Sequence, residues 1–172
     1  MIEVLVAAAV GCLLLAGGLV IYLFSVTSFA SMANYSDMNR KSRFASDMIS
    51  RDIRSCLSIV SATANQLSLN EPSPDGTTVY ATTYTYDPNA GTLNRWQNGE
   101  TKLLLTGVDS LFFVLYQKPA TNSSAAFEQY PTTTVITNAK LISFQWSCSR
   151  AVRPLQTESE SLEAGIVEIR NQ

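Results

Sequence analysis

The first 24 residues, MIEVLVAAAVGCLLLAGGLVIYLF (Met1–Phe24), decide how the rest of the chain is arranged. After Glu3 no charged residue follows until Asp37, and the uncharged apolar run from Val4 to Phe24 contains 21 residues. At a rise of about 1.5 Å per residue, a helix of that length spans roughly 31 Å, which is the thickness of a bilayer's hydrocarbon core. The run therefore predicts a transmembrane or tightly packed helix with one carboxylate at its start.

A cleaved signal peptide fits this stretch less well. Signal peptides have a basic n-region, an apolar core of about 7–15 residues and a cleavage site of small residues. Ser28-Phe29-Ala30 would serve as the cleavage site, but the basic n-region is missing and the apolar run is too long. We therefore expect the helix to be retained.

Composition argues against several functional classes. The 172 residues include 12 basic and 14 acidic ones, without the basic surplus usual in nucleic-acid binders. There is no histidine, which excludes a histidine-based triad or a histidine-containing zinc site. No nucleophile elbow, phosphate loop or metal-ligand spacing is present, so we expect no catalytic site, no metal and no cofactor.

The helix is expected to continue far beyond the apolar run. No proline occurs before Pro72, so one helix from residue 4 to about 57 is predicted. Its second half has apolar residues at helical spacing, with Asp47 and Arg51 on the opposite side as an i,i+4 ion pair. Asp52 falls within the apolar stripe and would need a hydrogen-bond or charge partner from the head if buried there. The stripe comprises Ala45, Met48, Ile49, Ile53, Cys56 and Leu57.

From residue 58 the period of the pattern changes from 3.6 to 2, which is typical of strands. Asn98-Gly99 is a strong hairpin signal, so the strands on either side of it belong to an antiparallel meander with the strand before them. We expect Leu111–Gln117, apolar on both faces, to be a central strand. Residues 118–134 are predicted to be irregular and residues 150–163 a solvated acidic loop. The predicted strands are Leu57–Ala62, Gln66–Leu69, Thr77–Tyr86, Thr92–Gln97, Glu100–Leu105, Leu111–Gln117, Lys140–Ser149 and Ile166–Arg170.

These patterns predict an α+β fold in which a long N-terminal helix packs on an antiparallel β-sheet head. The helix occupies residues 1–57, with the apolar segment 1–24 followed by an amphipathic half, 25–57. The β-rich head occupies residues 58–172. Because a sheet needs one covered face, we expect the amphipathic stripe to cover it.

The three cysteines leave one candidate disulfide. Cys12 lies in the apolar segment, where a small hydrophobic residue is the usual role, so Cys56 and Cys148 remain. A bond between them would close a long loop and stabilise the fold by about 4–5 kcal/mol in the entropic model. The alternative is two thiols, because sequence alone does not place their Cα atoms within reach.

Ile2-Glu3-Val4-Leu5-Val6-Ala7 resembles the mature N-terminus of type IV pilins and pseudopilins. In that family, phenylalanine or a similar residue is followed by Thr-Leu-Ile-Glu-Val-Leu-Val-Ala. Four residues precede the family's glutamate and two precede Glu3. The resemblance thus implies that the basic leader peptide and the first two mature residues, with the cleavage and N-methylation site, lie outside this sequence.

Later segments extend the resemblance loosely over the full length. Arg43-Phe44-Ala45 and Ile49–Arg54 are similar to the helix end of J-type minor pseudopilins of type II secretion and of related minor pilins. The stretch from Leu103 to Phe113 resembles the turn and strand after their meander. Val167–Asn171 resembles the closing strand of several minor pilins.

The resemblance implies a structural subunit of a filament. Glu3 would neutralise the N-terminal amine of a neighbouring subunit, and the filament core would include Val4, Leu5, Val6, Leu13 and Leu14. The implied partners are other pilin or pseudopilin subunits, an inner-membrane assembly platform and, for the precursor, a prepilin peptidase.

The resemblance also bears on orientation. The nearest basic residues, Arg40, Lys41 and Arg43, would by themselves suggest a cytoplasmic head by the positive-inside rule. A basic leader kept in the cytoplasm reverses that orientation. The implied location is then a single-pass inner-membrane protein with its head in the periplasm or outside the cell, and a filament after assembly.

Two other functional classes stay open from the residues alone. One is a membrane-anchored extracytoplasmic module that binds carbohydrate or adheres through Tyr80, Tyr84, Tyr86 and Trp96, although an aromatic strand face more often belongs to a core. The other is an anchored enzyme, against which the lack of histidine and of catalytic motifs argues. The acids at 158, 160, 163 and 168 could contribute to a calcium site, but their spacing is not that of an EF-hand and favours a solvated loop.

Overall fold

The structure is a computed structural model, and it describes residues 1–73, 76–118, 131–152 and 157–169. Within these ranges one helix precedes eight strands, and a short 3₁₀ helix lies before the seventh strand. The elements are α1 (Ile2–Ser55), β1 (Ser58–Ala62), β2 (Gln66–Pro72), β3 (Val79–Asp87), β4 (Thr92–Gln97), β5 (Glu100–Thr106), β6 (Val108–Gln117), the 3₁₀ helix (Ile136–Asn138), β7 (Ala139–Val152) and β8 (Thr157–Glu168). The α+β class is confirmed.

Helix α1 is continuous over 54 residues, which is about 81 Å at the standard rise. It ends at Ser55, because Cys56 has the extended conformation that leads into β1. The buried residues of the helix recur every three or four positions, as expected for one face packed on a domain. This buried stripe starts seven residues earlier than predicted and comprises Met38, Ser42, Ala45, Ile49, Asp52 and Ile53.

The strands of the described residues form two antiparallel sheets. The first is a meander of five strands in the order β1-β2-β3-β4-β5, which confirms the predicted three-strand meander and extends it. Its β4–β5 hairpin turns at Asn98 and Gly99, both with positive φ, as the Asn-Gly signal predicted. The second sheet has the order β6-β7-β8.

Gly107 lets the chain pass from the first sheet into the second. It has φ of +71°, and a Cβ at this position would lie 2.8 Å from the backbone oxygen of Ser149. The Ser149 amide also donates to the Gly107 carbonyl oxygen at 3.0 Å. Only a residue without a side chain allows this approach of the β5–β6 connection to β7.

The prediction of a central strand at Leu111–Gln117 is wrong. The strand, β6, lies at an edge of the described three-stranded sheet, and β7 is central. Leu111, Phe113 and Leu115 face the core, whereas Phe112 is exposed on the other face. An apolar run on both faces therefore indicates an uncovered outer face here rather than burial on two sides.

The predicted solvated loop at 150–163 is wrong for residues 150–152 and 157–163, and residues 153–156 lie outside the described residues. Strand β7 continues to Val152 and β8 begins at Thr157, with Ser149 opposite Glu160 in the register. Residues 166–168 of the closing strand predicted at Ile166–Arg170 are the end of this longer strand, Ile169 follows it, and Arg170 lies outside the described residues. The side chains of this stretch are mostly polar, so its sequence lacks the hydrophobic alternation that predicts a strand. The strand forms nevertheless, because its pairing uses backbone hydrogen bonds, which do not depend on that alternation.

The predicted irregular segment, residues 118–134, lies mostly outside the described residues. Within it, Lys118 and residues 131–134 belong to no named strand. Thr132 forms an isolated antiparallel bridge with Tyr116 of β6.

The core lies where the buried stripe of α1 meets the two sheets. Trp146 and Phe144 of β7 are fully buried and stack with ring centroids 5.3 Å apart. The Trp146 indole N–H donates to the Ser42 hydroxyl oxygen at 3.2 Å, so the one buried serine of the stripe has a partner in the sheet. This hydrogen bond and the stacked rings fix the helix against β7.

We predict that Gly107→Ala destabilises the fold more than Gly76→Ala. Both glycines have positive φ, +71° and +66°, but a Cβ at position 76 meets nothing within 4 Å. The Gly76 variant should lose about 1 kcal/mol from the left-handed conformation alone, and the Gly107 variant at least about 2 kcal/mol because of the added clash. Chemical unfolding of the full chain in detergent measures the difference. Equal losses would show that the contact with Ser149 costs nothing.

Candidate functional site

The apolar half of α1 is exposed on all sides. Its predicted filament-core residues have between 57% and 73% of their surface exposed, namely Val4, Leu5, Val6, Leu13 and Leu14. Among the described residues, α1 is the one helix long and apolar enough to cross a membrane, and none of its most apolar stretch is buried. A helix with this surface is stable against lipid or against other apolar helices, but costs free energy in water.

Glu3 lies exposed in the first turn of this helix. The positive end of the helix dipole favours a carboxylate there. Because residues three, four and seven positions apart share a helix side, Val6 and Val10 continue the side on which Glu3 lies. The carboxylate is therefore part of an otherwise apolar surface.

The junction between helix and head is built around Asp52. The Tyr84 hydroxyl donates to Asp52 Oδ2 at 2.5 Å, and Arg95 Nε donates to the same oxygen at 2.8 Å. The side chains of Asp52 and Arg95 are only 4% and 12% exposed. The sequence-based expectation that Asp52 would need a partner from the head is confirmed, and the partners come from β3 and β4.

A second carboxylate completes this network. Glu71 of β2 is buried, its Oε2 accepts a hydrogen bond from Gln97 at 3.2 Å, and the same oxygen lies 3.9 Å from Arg95 Nη2. Two buried carboxylates thus share one guanidinium. Burial first, and the charge of Asp52 second, raise the pKa of the Glu71 carboxyl, because both disfavour its ionised form.

Another ionic contact ties the helix to β7 about four turns earlier. Asp37 accepts a hydrogen bond from Arg150 Nη1 at 3.0 Å and lies 2.9 Å from Lys41 Nζ. Hydrogen bonds from Lys41 and Arg150 lower the pKa of Asp37 to about 2. The Arg150 guanidinium also donates to Thr106, so it connects α1, β5 and β7.

Sequence reasoning did not single out Arg95. The available signal is the alternation in β4, where Leu93 faces the core and positions 95 and 97 share its side. A charged residue on the covered side of a strand needs an opposite charge nearby, and Asp52 was the one acid already noted inside the apolar stripe.

The predicted surface ion pair between Asp47 and Arg51 is replaced by a different contact. Arg51 Nε lies 3.7 Å from Asp52 Oδ1, the carboxylate at the edge of the buried stripe. Asp47 and Arg51 are both exposed on the outer side of the helix, as expected.

The candidate disulfide between Cys56 and Cys148 is not formed. Cys148 lies beside Ser42, which is 14 residues before Cys56 along the helix, or about 21 Å. A disulfide requires Cα atoms within about 7 Å. Both cysteines are buried, and burial raises the pKa of each thiol to about 11, which makes the nucleophilic thiolate rare.

The four aromatic residues of the alternative binding face, Tyr80, Tyr84, Tyr86 and Trp96, differ in their exposure to solvent. Tyr84 and Tyr86 are buried in the core, and the Tyr86 hydroxyl donates to the backbone of Val108 and Asp109. Tyr80 is half-buried and Trp96 is exposed. They therefore do not form one exposed face.

The acids considered for calcium belong to β8, where alternate residues face opposite sides. Glu160 and Glu168 are exposed on the outer side, whereas Glu163 lies on the other side. The side chain of Glu158 lies outside the described part of the chain. Within the described ranges, no group of three or more acidic, cysteine or histidine residues is placed to hold a metal ion.

The long apolar N-terminal helix packed on antiparallel sheets is a pilin-like architecture. Comparison of the sequence with models of known protein families and with curated proteins gave no match.

We predict that Asp52→Ala destabilises the fold by about 3–5 kcal/mol, because it leaves the nearly buried guanidinium of Arg95 without its closest carboxylate. Asp47→Ala, on the exposed side of the same helix, is the matched control and should change the free energy of unfolding by less than about 0.5 kcal/mol. Urea unfolding of the full chain in detergent, followed by the fluorescence of buried Trp146, measures both. A loss below about 1 kcal/mol for Asp52→Ala would mean that Glu71 replaces it.

We also predict that Glu71→Gln stabilises the fold at pH 8 but not at pH 4. A pKa raised in the folded state means that the stabilising contribution is present below the unfolded pKa and is lost as pH rises through the folded pKa. Glutamine resembles the protonated acid and stays neutral at both pH values. The same difference between wild type and variant at the two pH values would contradict the raised pKa.

Proposed function

We propose that this chain is a minor pilin or pseudopilin, a structural subunit of a type IV pilus-like or type II secretion filament. One observation carries the proposal: the first half of α1 is apolar on all sides and starts with Glu3, while the second half is bound to a β-rich head. The apolar half needs a nonaqueous partner, first the bilayer and then other helices of the same kind. The chemistry of the subunit is assembly, and no catalytic step is proposed.

Glu3 supplies the specific interaction in this proposal. A carboxylate at the edge of an apolar helix is costly to bury unless an opposite charge neutralises it. In a bundle of subunits, the N-terminal amine of a neighbouring subunit is that charge, and attraction is stronger in the low dielectric of the bundle than in water. Because desolvation offsets much of this attraction, the pair fixes the axial register of the helices more than it stabilises the bundle.

The contacts between α1 and the head allow the head to move together with the helix during assembly. If an assembly platform extracts the subunit from the inner membrane, the force must pass from α1 to the sheets. Asp52 with Arg95, Ser42 with Trp146, and Asp37 with Arg150 join the helix to β4 and β7. We propose that a prepilin peptidase processes the precursor and that the head lies in the periplasm or outside the cell.

The alternative function, an anchored adhesive or carbohydrate-binding module, has less support. It relied on four aromatic residues acting together, and two of them are part of the core. A role as a filament subunit accounts for both halves of α1, whereas a role as a binding module accounts only for the apolar half as a membrane anchor.

We predict that Glu3→Leu inserts in the membrane but enters filaments at least about tenfold less, because the amine of the neighbouring subunit is then left without a counter-charge. Glu3→Asp, which keeps the charge, is the matched control and should retain most of the incorporation. The measurement is co-purification of the tagged full chain with sheared filaments, relative to its amount in the membrane fraction. Incorporation of Glu3→Leu at the wild-type level would refute the assembly role of Glu3.

A further inference from the structure

A row of arginines follows the outer side of α1 beside the head. Positions 40, 43, 47, 51 and 54 recur every three or four residues, so they share one side of the helix, opposite the buried stripe. All five residues are exposed. We call the four basic ones, Arg40, Arg43, Arg51 and Arg54, the arginine ridge; Asp47 lies at its centre.

The ridge keeps most of its charge available. Arg40 lies 3.3 Å from Asp37 and Arg51 lies 3.7 Å from Asp52, but these arginine side chains are still 80% and 74% exposed. The two contacts are therefore screened by water and weak. Four arginines and one aspartate leave the ridge with a formal charge of +3 (4 − 1).

The outer face of β8 has the opposite charge. Alternate residues of this strand are exposed, and the set begins and ends with a glutamate around three apolar residues. We call it the β8 face; it comprises Glu160, Leu162, Ala164, Ile166 and Glu168. Exposed leucine and isoleucine between two carboxylates form an apolar strip with charged ends, which is typical of a protein contact surface.

The two surfaces match in length. Arg40 and Arg54 are 14 residues apart on a helix, about 21 Å, and Glu160 and Glu168 are eight residues apart on a strand, about 26 Å. Flexible arginine side chains cover the remaining difference. The ridge lies opposite the buried stripe of α1, and the β8 face lies opposite the buried side of β8, so both are open to a second copy.

We propose that the arginine ridge of one copy binds the β8 face of a second copy. This inference rests on the proposed function, because it names the head contact that accompanies helix packing in a filament. The contact joins two different surfaces, so every bound copy still offers one ridge and one β8 face. Such a heterologous contact forms a closed ring only if the rotation from one copy to the next adds up to a full turn. Otherwise the copies extend into a filament.

The contact is too small to hold two copies by itself. Even if the outer sides of β6 and β7 are included with the β8 face, three strands at about 4.8 Å spacing and 26 Å of length give a patch of roughly 370 Å². That is less than half of the about 800 Å² per partner in a stable interface. Anchoring in one membrane raises the effective concentration of the partners and lets the weak contact form. We therefore expect it in membranes and not between copies diluted in detergent.

Cysteine cross-linking of the full chain in phosphatidylcholine vesicles tests the geometry. Copies with Cys12→Ala and Asp47→Cys, which reports on the ridge, are mixed with copies carrying Cys12→Ala and Ala164→Cys, which reports on the β8 face. Mild oxidation should give disulfide-linked dimers in the mixture at about ten times the yield from either population alone. Equal yields from the Asp47→Cys copies alone would overturn the proposal, because they would indicate contact between two ridges.

Charge reversal tests the chemistry. With the same reporter cysteines in place, copies with Arg51→Glu and Arg54→Glu should cross-link to one another far less, because their ridge has lost its positive charge. Copies with Glu160→Arg and Glu168→Arg should also cross-link far less, because two positive surfaces then face each other. A mixture should restore cross-linking when the ridge reporter is on the Glu160→Arg, Glu168→Arg copies and the β8 reporter on the Arg51→Glu, Arg54→Glu copies, because the unchanged ridge of one variant then meets the unchanged β8 face of the other. Arg51→Lys with Arg54→Lys keeps the charge and is the matched control. Undiminished cross-linking of the reversed copies alone would overturn the proposal.

The choice of lipid and the Glu3 variant distinguish the head contact from lipid binding and from helix packing. If the ridge binds anionic lipid instead, cross-linking will be absent in phosphatidylcholine, and the ridge variants will lose affinity for phosphatidylglycerol vesicles, which overturns the proposal. Glu3→Leu should leave the head cross-link in place while filament entry falls. Loss of the cross-link with normal filament entry refutes this inference alone, and normal entry of Glu3→Leu refutes the assembly role alone.

Discussion

The buried ion pair between Asp52 and Arg95 is the interaction on which the joint between helix and head depends. A carboxylate inside the apolar stripe is tolerated only because a guanidinium and the Tyr84 hydroxyl reach the same oxygen from β3 and β4. The pair is directional in a way that the surrounding hydrophobic contacts are not, so it specifies where along α1 the sheet must lie. A shift of the helix by one turn would leave two buried charges apart.

The general architecture follows from the sequence because its signals are local. The change of period near residue 58 separates helix from strands, and the Asn98-Gly99 turn sets the hairpin around it. The length of the apolar run defines the exposed half of α1. Asp52 was recognisable as a charged residue within an apolar stripe, which made it possible to predict that it needs a polar partner.

The features that were not predicted depend on contacts between residues far apart in the chain. The hydrophobic pattern of a single sequence does not show which distant residues meet. Arg95 and Asp52 are 43 positions apart, and only the fold brings them together. Residues 157–163 pair with β7 through their backbone, so their polar side chains gave no sign of a strand. Cys56 and Cys148 were paired because they remained after Cys12 was set aside. The sequence does not show that Cys148 lies beside Ser42 while Cys56 lies at the end of α1, 14 residues further on. Strand β6 was misplaced because its exposed Phe112 reads as a core residue.

The early start of the buried stripe has a mechanical consequence. From Ile2 to Met38 the helix extends about 54 Å beyond its first buried residue, while the part bound to the head, from Met38 to Ser55, is only about 26 Å long. The molecule is thus a lever whose free arm is about twice its held arm. By torque balance, a sideways push near Glu3 produces about twice that force at the Ser55 end of the held arm and about three times that force at the Met38 end. Asp37 with Arg150 and Asp52 with Arg95 lie close to the two ends of the held arm, where opposing forces from such a torque are largest.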